Sequence, residues 1–250
     1  MVAYIGPPIA LSDVILNPPH ALLRQSYAPR HQRRGGAINV DGFGVGWYDH
    51  SLRPEPARHR TARPIWADYS FASFAPLVRT TALLSAVRSA TPPSPIEETG
   101  VAPYTSGPWL FAHNGLIEGY RHGPDGALGV RSELLDLVSA GRRSGIDGAS
   151  DSEVLFALTL DHLDTGDDPV EAIARTVEST LKLADACLNL LLTDGRRLVA
   201  TARGESLFTL NSRDAVVVAS EPWDDNPAWS RVPEGSLVTA EDSNVRITPL

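Results

Sequence analysis

The sequence has one cysteine, one lysine and no apolar run long enough to cross a membrane. Cys187 has no partner for an internal disulfide, and so few cysteines are typical of proteins from a reducing compartment. A membrane-spanning helix needs about 18 consecutive apolar residues, and the amino terminus lacks the basic and apolar segments of a signal peptide. We therefore expect a cytoplasmic protein with no membrane partner.

Positive charge is also scarce, since 22 basic residues face 30 acidic ones and the formal net charge is −8. This balance argues against a nucleic-acid partner. The basic stretch 30–34 is interpreted as a solvated loop, with a patch for an anionic partner as the alternative. The histidines are scattered without metal-ligand spacing, and GFGVG at 42–46 lacks the spacing of a dinucleotide-binding loop. We expect no metal and no cofactor.

The order of predicted elements indicates the fold class. Neither an internal repeat nor a Gly/Ser linker divides the 250 residues, so we predict one domain over 1–250. In the first half, short strands are predicted at 3–6, 38–49, 82–90 and 109–113, and a loop at 51–64. Apolar residues at three- and four-residue spacing then predict helices at 131–141, 150–163 and 168–184. Short strands follow from residue 187, which predicts an α+β fold with two facing sheets covered by helices.

Asn114 and Gly115 stand at the end of the apolar strand predicted at 109–113. The tetrahedral intermediate of acyl transfer carries an oxyanion, which is stabilised by fixed N–H donors in a dry pocket. The side-chain amide of Asn114 and the backbone N–H of Gly115 are suited to that task. The alternative is that Asn-Gly makes a tight turn, as this pair does in many hairpins.

Two charged residues, Arg88 and Asp151, are further candidates. Arg88 interrupts an apolar strand, so it either faces solvent or binds a carboxylate with two guanidinium nitrogens. Asp151 begins a predicted helix at which Ser150 and Glu153 fit a capping box. The helix dipole alone favours a carboxylate there. The functional alternative is that Asp151 holds a cationic amine.

In their order along the chain, these features resemble the class II glutamine amidotransferases, a family of N-terminal-nucleophile hydrolases. The resemblance covers nearly the whole chain and rests on AYIGPP, NPPHALLRQSYAPR, NVDGFGVGWY, VRSATP, WLFAHNG, SDSEVLF, LNLLLTDG and ASEPWDD. These segments look like one branch of the family, the gamma-glutamyl-hercynylcysteine sulfoxide hydrolases of ergothioneine biosynthesis. The resemblance implies a four-layer αββα sandwich and a hydrolase that releases glutamate from a γ-glutamyl amide.

The resemblance also implies a role for each candidate residue. Asn114 and Gly115 would stabilise the oxyanion, Arg88 would bind the α-carboxylate of the substrate, and Asp151 would bind its α-ammonium. The family nucleophile is an N-terminal cysteine whose own α-amine serves as the base, and such an amine titrates near neutrality. His113 also lies at a motif position, and we interpret it as a wall or core residue.

The amino terminus departs from the family pattern. Family members begin with Cys-Arg-His, then a hydrophobic residue and Ala-Tyr, whereas this sequence begins Met1-Val2-Ala3-Tyr4. Val2 matches the hydrophobic position, so the nucleophile is missing and we expect no catalysis by the chain as written. Three explanations for the missing Cys-Arg-His segment stay open. The start codon was assigned too far downstream, the chain was altered, or the protein has lost its nucleophile. Cys187 is expected to be buried and inert.

Two other functions stay open. One is a glutaminase subunit that passes ammonia to a separate synthase, since we expect no synthase domain before the chain ends at Leu250. The other is a non-catalytic protein that still binds glutamate or a γ-glutamyl ligand. In each case the partner of the site is a small molecule.

Overall fold

A computed structural model describes residues 1–32, 38–91, 94–121, 129–241 and 244–250. Its strands are β1 (Val2–Ala10), β2 (Phe43–Trp47), β3 (Ala57–Thr61), β4 (Arg79–Val87), β5 (Tyr104–Ser106), β6 (Trp109–Ile117), β7 (Ala186–Thr193), β8 (Arg197–Ala202), β9 (Phe208–Asn211), β10 (Val216–Ala219), β11 (Ser230–Arg231), β12 (Ser236–Glu241) and β13 (Asn244–Pro249). Its α-helices are α1 (Leu11–Ile15), α2 (Leu22–Gln25), α3 (Tyr69–Phe74), α4 (Arg131–Leu137), α5 (Ala140–Arg143), α6 (Asp151–Asp164) and α7 (Pro169–Leu181).

The strands form two antiparallel sheets. The first has the order β11-β9-β10-β1-β4-β2-β3, and the second has the order β13-β12-β8-β7-β6-β5. The first strand of the chain therefore lies inside its sheet, where Val2 pairs with Ser85 on one side and Ala219 on the other. In the second sheet, Asn114 of β6 lies opposite Asn189 of β7.

Alternation along the strands produces three apolar layers, because successive side chains point to opposite faces of a sheet. Ala3 and Leu84 of the first sheet meet Leu191 of the second in the central layer. The outer face of the first sheet packs against α1, α2 and α3, and the outer face of the second packs against α4, α6 and α7. This arrangement is an αββα sandwich, and it confirms the predicted α+β fold with two facing sheets.

Two local predictions were wrong. The strand predicted at 3–6 continues to Ala10, and its pairing with β4 shifts register between Ile5 and Ile9. Pro7 and Pro8 lie in this irregular stretch, where a missing N–H is tolerated. The predicted loop at 51–64 contains β3. β3 is the outermost strand of its sheet, where charged side chains are tolerated. The mostly buried side chain of Arg60 is paired with Glu98 at 3.4 Å.

The helical predictions were correct in position, with one exception. α6 and α7 agree with the predictions at 150–163 and 168–184 to within a few residues at each end. The helix predicted at 131–141 is instead broken into α4 and α5, since Val138 and Ser139 have extended backbone angles. The hydroxyl of Ser139 then caps α5 by accepting the N–H of Arg142.

Candidate active site

Asn114 lies within a strand, because β6 runs through Asn114-Gly115 to Ile117. The alternative that these two residues form a tight turn is therefore wrong. The side-chain Nδ2 of Asn114 donates a hydrogen bond to Oγ of Ser220, at 3.2 Å. Nδ2 carries two hydrogens, so one remains for another acceptor.

Gly115 is fixed by the close approach of the neighbouring strand. A Cβ at this position would overlap the carbonyl oxygen of Cys187 and come within 2.7 Å of Nε2 of His113. No side chain fits there without moving β7, so the site requires glycine. β6 and β7 therefore approach each other this closely at the residue that follows Asn114 only because that residue has no side chain.

Ser220 brings the start of the chain to Asn114. It follows β10, and its backbone N–H donates to the carbonyl of Met1 at 2.9 Å. The α-amine of Met1 is buried and lies 3.3 Å from Oγ of Ser220. Burial lowers the pKa of this amine to about 6, an effect that the nearby Glu221 carboxylate partly opposes. The beginning of β1 and the Asn114 amide therefore contact one hydroxyl.

Asp151 is the first residue of α6, and its carboxylate joins this helix to the end of β6. Oδ2 accepts the backbone N–H of Ile117 at 3.3 Å, and Oδ1 accepts the N–H of Ser152 at 2.8 Å. A carboxylate at a helix start is stabilised by the N–H groups exposed there. Asp151 is therefore held three residues along the strand from Asn114.

The predicted capping box is only half correct. Ser150 is the N-cap of α6, and its hydroxyl accepts the N–H of Ser152. Glu153 does not complete the box, because its carboxylate accepts the N–H groups of Asp147 and Gly148, at 2.9 and 2.7 Å. Burial raises the pKa of Glu153, and these two hydrogen bonds oppose that rise. The carboxylate orders the loop before α6.

Arg88 lies one residue beyond β4, so its predicted place inside the strand was wrong by a single position. Its backbone is nonetheless fixed, since its N–H donates to the carbonyl of Gly42 and its carbonyl accepts the N–H of Asp41. The half-buried guanidinium packs against Gly100, and Nη1 donates to the carbonyl of Pro95 at 3.0 Å. Among the described residues, no carboxylate forms an ion pair with Arg88.

The charges of Arg88 and Asp151 both act on the hydroxyl of Tyr104. Its ring is buried, which raises the pKa of its hydroxyl to about 12, and the charges of Asp151 and Arg88 act on this pKa in opposite directions. A cavity of about 220 Å³ borders the same tyrosine, but its lining includes Glu153 and neither Arg88 nor Asp151.

His113 links β7 to α6 from its place in β6. Its Nε2 lies 2.8 Å from the carbonyl oxygen of Cys187, and its Nδ1 lies 3.0 Å from Oγ of Ser152. A carbonyl oxygen only accepts, so Nε2 carries a hydrogen and donates it to Cys187. Oγ of Ser152 contacts Nδ1 and also lies 3.3 Å from Oδ1 of Asp151. His113 therefore holds the first turn of α6 against the sheet, consistent with its interpretation as a wall residue.

Cys187 is the second residue of β7 and is 4% exposed, which confirms the expectation that it is buried. The sequence did not single out Ser220, which contacts Asn114, or Ser152, which contacts His113. The segments ASEPWDD and SDSEVLF contain these serines, but a serine there does not reveal its partner. Of the basic stretch 30–34, Arg30 to Gln32 are described and positions 33 and 34 lie outside the described residues.

Two features are absent from the described ranges. None of their helices is long and apolar enough to span a membrane. Nor do these ranges contain three or more His, Cys, Asp or Glu residues arranged to hold a metal ion.

Comparison with known proteins gives a consistent assignment. The family described as glutamine amidotransferases class-II matches residues 22–214. The chain is 40% identical over 250 residues to gamma-glutamyl-hercynylcysteine sulfoxide hydrolase of Mycolicibacterium smegmatis, covering 100% of this chain and 98% of the relative. It is 39% identical over 249 residues to the enzyme of the same name from Mycobacterium tuberculosis, covering 100% of this chain and 95% of that relative.

A solved structure agrees with these relatives. The class II glutamine aminotransferase domain protein from Silicibacter pomeroyi superposes with a TM-score of 0.70 at 26% identity, and the match covers 99% of this chain and 97% of that one. The sequence match and the shared αββα architecture lead to the same conclusion. The chain belongs to the class II glutamine amidotransferases.

Proposed function

We propose that this chain carries the γ-glutamyl site of a cytoplasmic amidohydrolase that releases glutamate from γ-glutamyl-hercynylcysteine sulfoxide in ergothioneine biosynthesis. The substrate is inferred from the name of the relatives that are about 40% identical over the whole chain. One structural observation carries the reaction type. The side-chain amide of Asn114 and the nitrogen of Met1 meet at Ser220, so an amide donor lies beside the point from which a longer amino terminus would continue.

The roles of the other residues follow from charge and position. Arg88 binds the α-carboxylate of the γ-glutamyl group, since no described carboxylate neutralises it. Asp151 binds the α-ammonium. Asn114 and Gly115 donate to the oxyanion that forms at the γ-carbonyl, where negative charge develops in the transition state.

The chemistry requires a nucleophile ahead of Val2. In a chain that begins Cys-Arg-His-Val2, the cysteine thiol gives its proton to its own α-amine and attacks the γ-carbonyl carbon. The C–N bond then breaks, the leaving amine takes the proton, and a glutamyl thioester remains. Water hydrolyses this thioester, which releases glutamate and restores the thiol.

The test compares chains that differ only at their start. One begins at Met1, one begins Cys-Arg-His-Val2, and a third begins Ser-Arg-His-Val2. We expect the cysteine form alone to release glutamate efficiently from γ-glutamyl-hercynylcysteine sulfoxide. Asn114→Ala in that form should slow the reaction by about 10²–10³-fold, the usual cost of one oxyanion donor. An inactive cysteine form, or full activity after Asn114→Ala, would overturn the proposal.

A second candidate function rests on Arg88 and Asp151 alone, whose opposite charges suit an amino acid's carboxylate and ammonium and need no nucleophile. In that case the chain is a binding protein for glutamate or a γ-glutamyl ligand. Calorimetric titration of the Met1 form with glutamate tests this function, and Arg88→Ala should abolish the heat. The remaining alternative, a glutaminase subunit that serves a synthase, predicts that the cysteine form prefers glutamine to the sulfoxide.

A further inference from the structure

Ser220 has a backbone that is fixed on both sides. Its N–H donates to the carbonyl of Met1, which attaches it to β1, and its carbonyl accepts the hydroxyl of Ser206 at 2.8 Å. The next residue, Glu221, is buried, and its carboxylate accepts the N–H groups of Arg30 and His31 at 2.7 and 2.9 Å. Oγ of Ser220 is therefore a rigid reference point.

Two nitrogen donors converge on this oxygen. Nδ2 of Asn114 approaches it at 3.2 Å and the nitrogen of Met1 at 3.3 Å. A hydroxyl oxygen has two acceptor positions, and these donors fill both. A peptide N–H at Met1 could make the same contact as an amine, so the arrangement does not depend on which residue comes first.

We propose that Ser220 is a positioning residue for Asn114, which holds the side-chain amide so that its second Nδ2 hydrogen faces the developing oxyanion. The terminal torsion of an asparagine side chain is soft and has two broad minima. Without a fixed partner, the carboxamide would rotate, and its oxygen would face the oxyanion part of the time. The hydrogen bond to Ser220 removes that freedom, and preorganised donors are the ones that accelerate acyl transfer.

This inference rests on the proposed function for the identity of the oxyanion, but its first test needs no substrate. The side-chain amide of Asn114 gives a pair of ¹⁵N–¹H NMR signals, which Asn114→Asp identifies by removing them. In Ser220→Ala we expect these hydrogens to exchange with water about two- to tenfold faster, as the loss of one neutral hydrogen bond implies. Ser220→Thr keeps the hydroxyl and should restore the slow exchange. Ser212→Ala, an exposed hydroxyl before β10, is the matched control.

The second test measures the consequence in the chain as given. L-methionine sulfone places a tetrahedral sulfur with two oxygens where the γ-carbonyl carbon of a glutamyl group lies, and L-methionine has the same skeleton without the oxygens. We expect the sulfone to bind more tightly, and Ser220→Ala to reduce this preference by about two- to tenfold while leaving methionine affinity unchanged. In the Asn114→Ala background, Ser220→Ala should cause no further loss, because Ser220 acts through Asn114.

The outcomes separate the inference from the proposed function. If neither ligand binds, the proposed recognition of the amino-acid end is wrong, and the amide exchange of Asn114 alone decides the role of Ser220. Unchanged exchange in Ser220→Ala overturns the inference. An equal loss of affinity for both ligands also overturns it, since a general structural defect would affect methionine and its sulfone alike.

Discussion

The backbone N–H of Ile117 and the Oδ2 atom of Asp151 form a hydrogen bond of 3.3 Å, which joins the end of β6 to the start of α6. Asn114 lies on the same strand as Ile117. The hydrogen bond therefore joins two elements of the proposed site. β6 carries the proposed oxyanion donor, and α6 carries the proposed partner of the ammonium group. A change at Asp151 therefore affects both charge and structure, and experiments have to distinguish the two effects.

Asp151→Asn separates charge from shape. The variant keeps one acceptor oxygen and loses the negative charge, so we expect affinity for glutamate to fall by about 10–100-fold, the value of a charge-assisted hydrogen bond. One backbone N–H loses its acceptor, which should lower the free energy of unfolding by about 1–2 kcal/mol. Calorimetry and urea denaturation measure the two effects. Asp168→Asn, the same change at the N-cap of α7, should leave binding unaltered. Undiminished affinity in Asp151→Asn would contradict the assigned role.

Gly115→Ala tests the close approach of β6 and β7. Its Cβ would overlap the carbonyl oxygen of Cys187, so the strands have to separate. We expect a loss of about 2–3 kcal/mol in the free energy of unfolding, as for other overpacked sites. Gly141→Ala is the matched control, because no atom lies within 4 Å of its added Cβ. Alanine favours a helix, so this control should change stability by less than about 1 kcal/mol. Equal effects of the two variants would show that the strand approach does not require glycine.

The hydrogen bonds of His113 predict its tautomer. Nε2 faces a carbonyl oxygen and Nδ1 faces the hydroxyl of Ser152, so the hydrogen belongs on Nε2. Long-range ¹H–¹⁵N NMR of the imidazole should show this tautomer. Ser152→Ala removes the hydroxyl that contacts Nδ1 and should lower the free energy of unfolding by about 1 kcal/mol. Ser144→Ala, whose hydroxyl is exposed, should change it by less than about 0.5 kcal/mol. A ring without a hydrogen on Nε2 would be incompatible with the contact to the carbonyl oxygen of Cys187.

The buried α-amine predicts a pH dependence in preparations whose first residue is Met1. Its pKa is about 6 in the folded chain, below the value of 8.0 for an exposed amine. Between these two values the unfolded chain binds more protons, so stability rises as the pH increases from 6 to 8. Between pH 6 and pH 8 the difference should amount to about 2 kcal/mol, most of the value implied by 1.36 kcal/mol per pKa unit. Urea denaturation at pH 6, 7 and 8 measures it.

N-terminal acetylation of the same chain is the control for this pH dependence. It removes the titrating amine, so the stability difference between pH 6 and pH 8 should shrink by the amount given above. If the acetylated and free chains responded equally to pH, another group would be responsible.

Local sequence determined most of the elements, and the failures have physical causes. The periodicity of 150–163 and 168–184 was sufficient to place α6 and α7. It did not show the break between α4 and α5, where α4 ends at Leu137 and Ser139 caps α5. The arginine-rich β3 was missed because strand propensity depends on whether a strand lies at the edge or the centre of its sheet.

The sequence by itself determined the α+β class, the family and four candidate residues, because apolar periodicity and short motifs are local properties of the chain. Only the tertiary structure decided that Asn114 contacts Ser220, 106 residues away, and that Asp151 contacts Ile117, 34 residues away. Side-chain partners at such separations depend on how the two sheets and α6 pack together. A hydroxyl or an amide has the same sequence signature whether it faces water or the centre of a site.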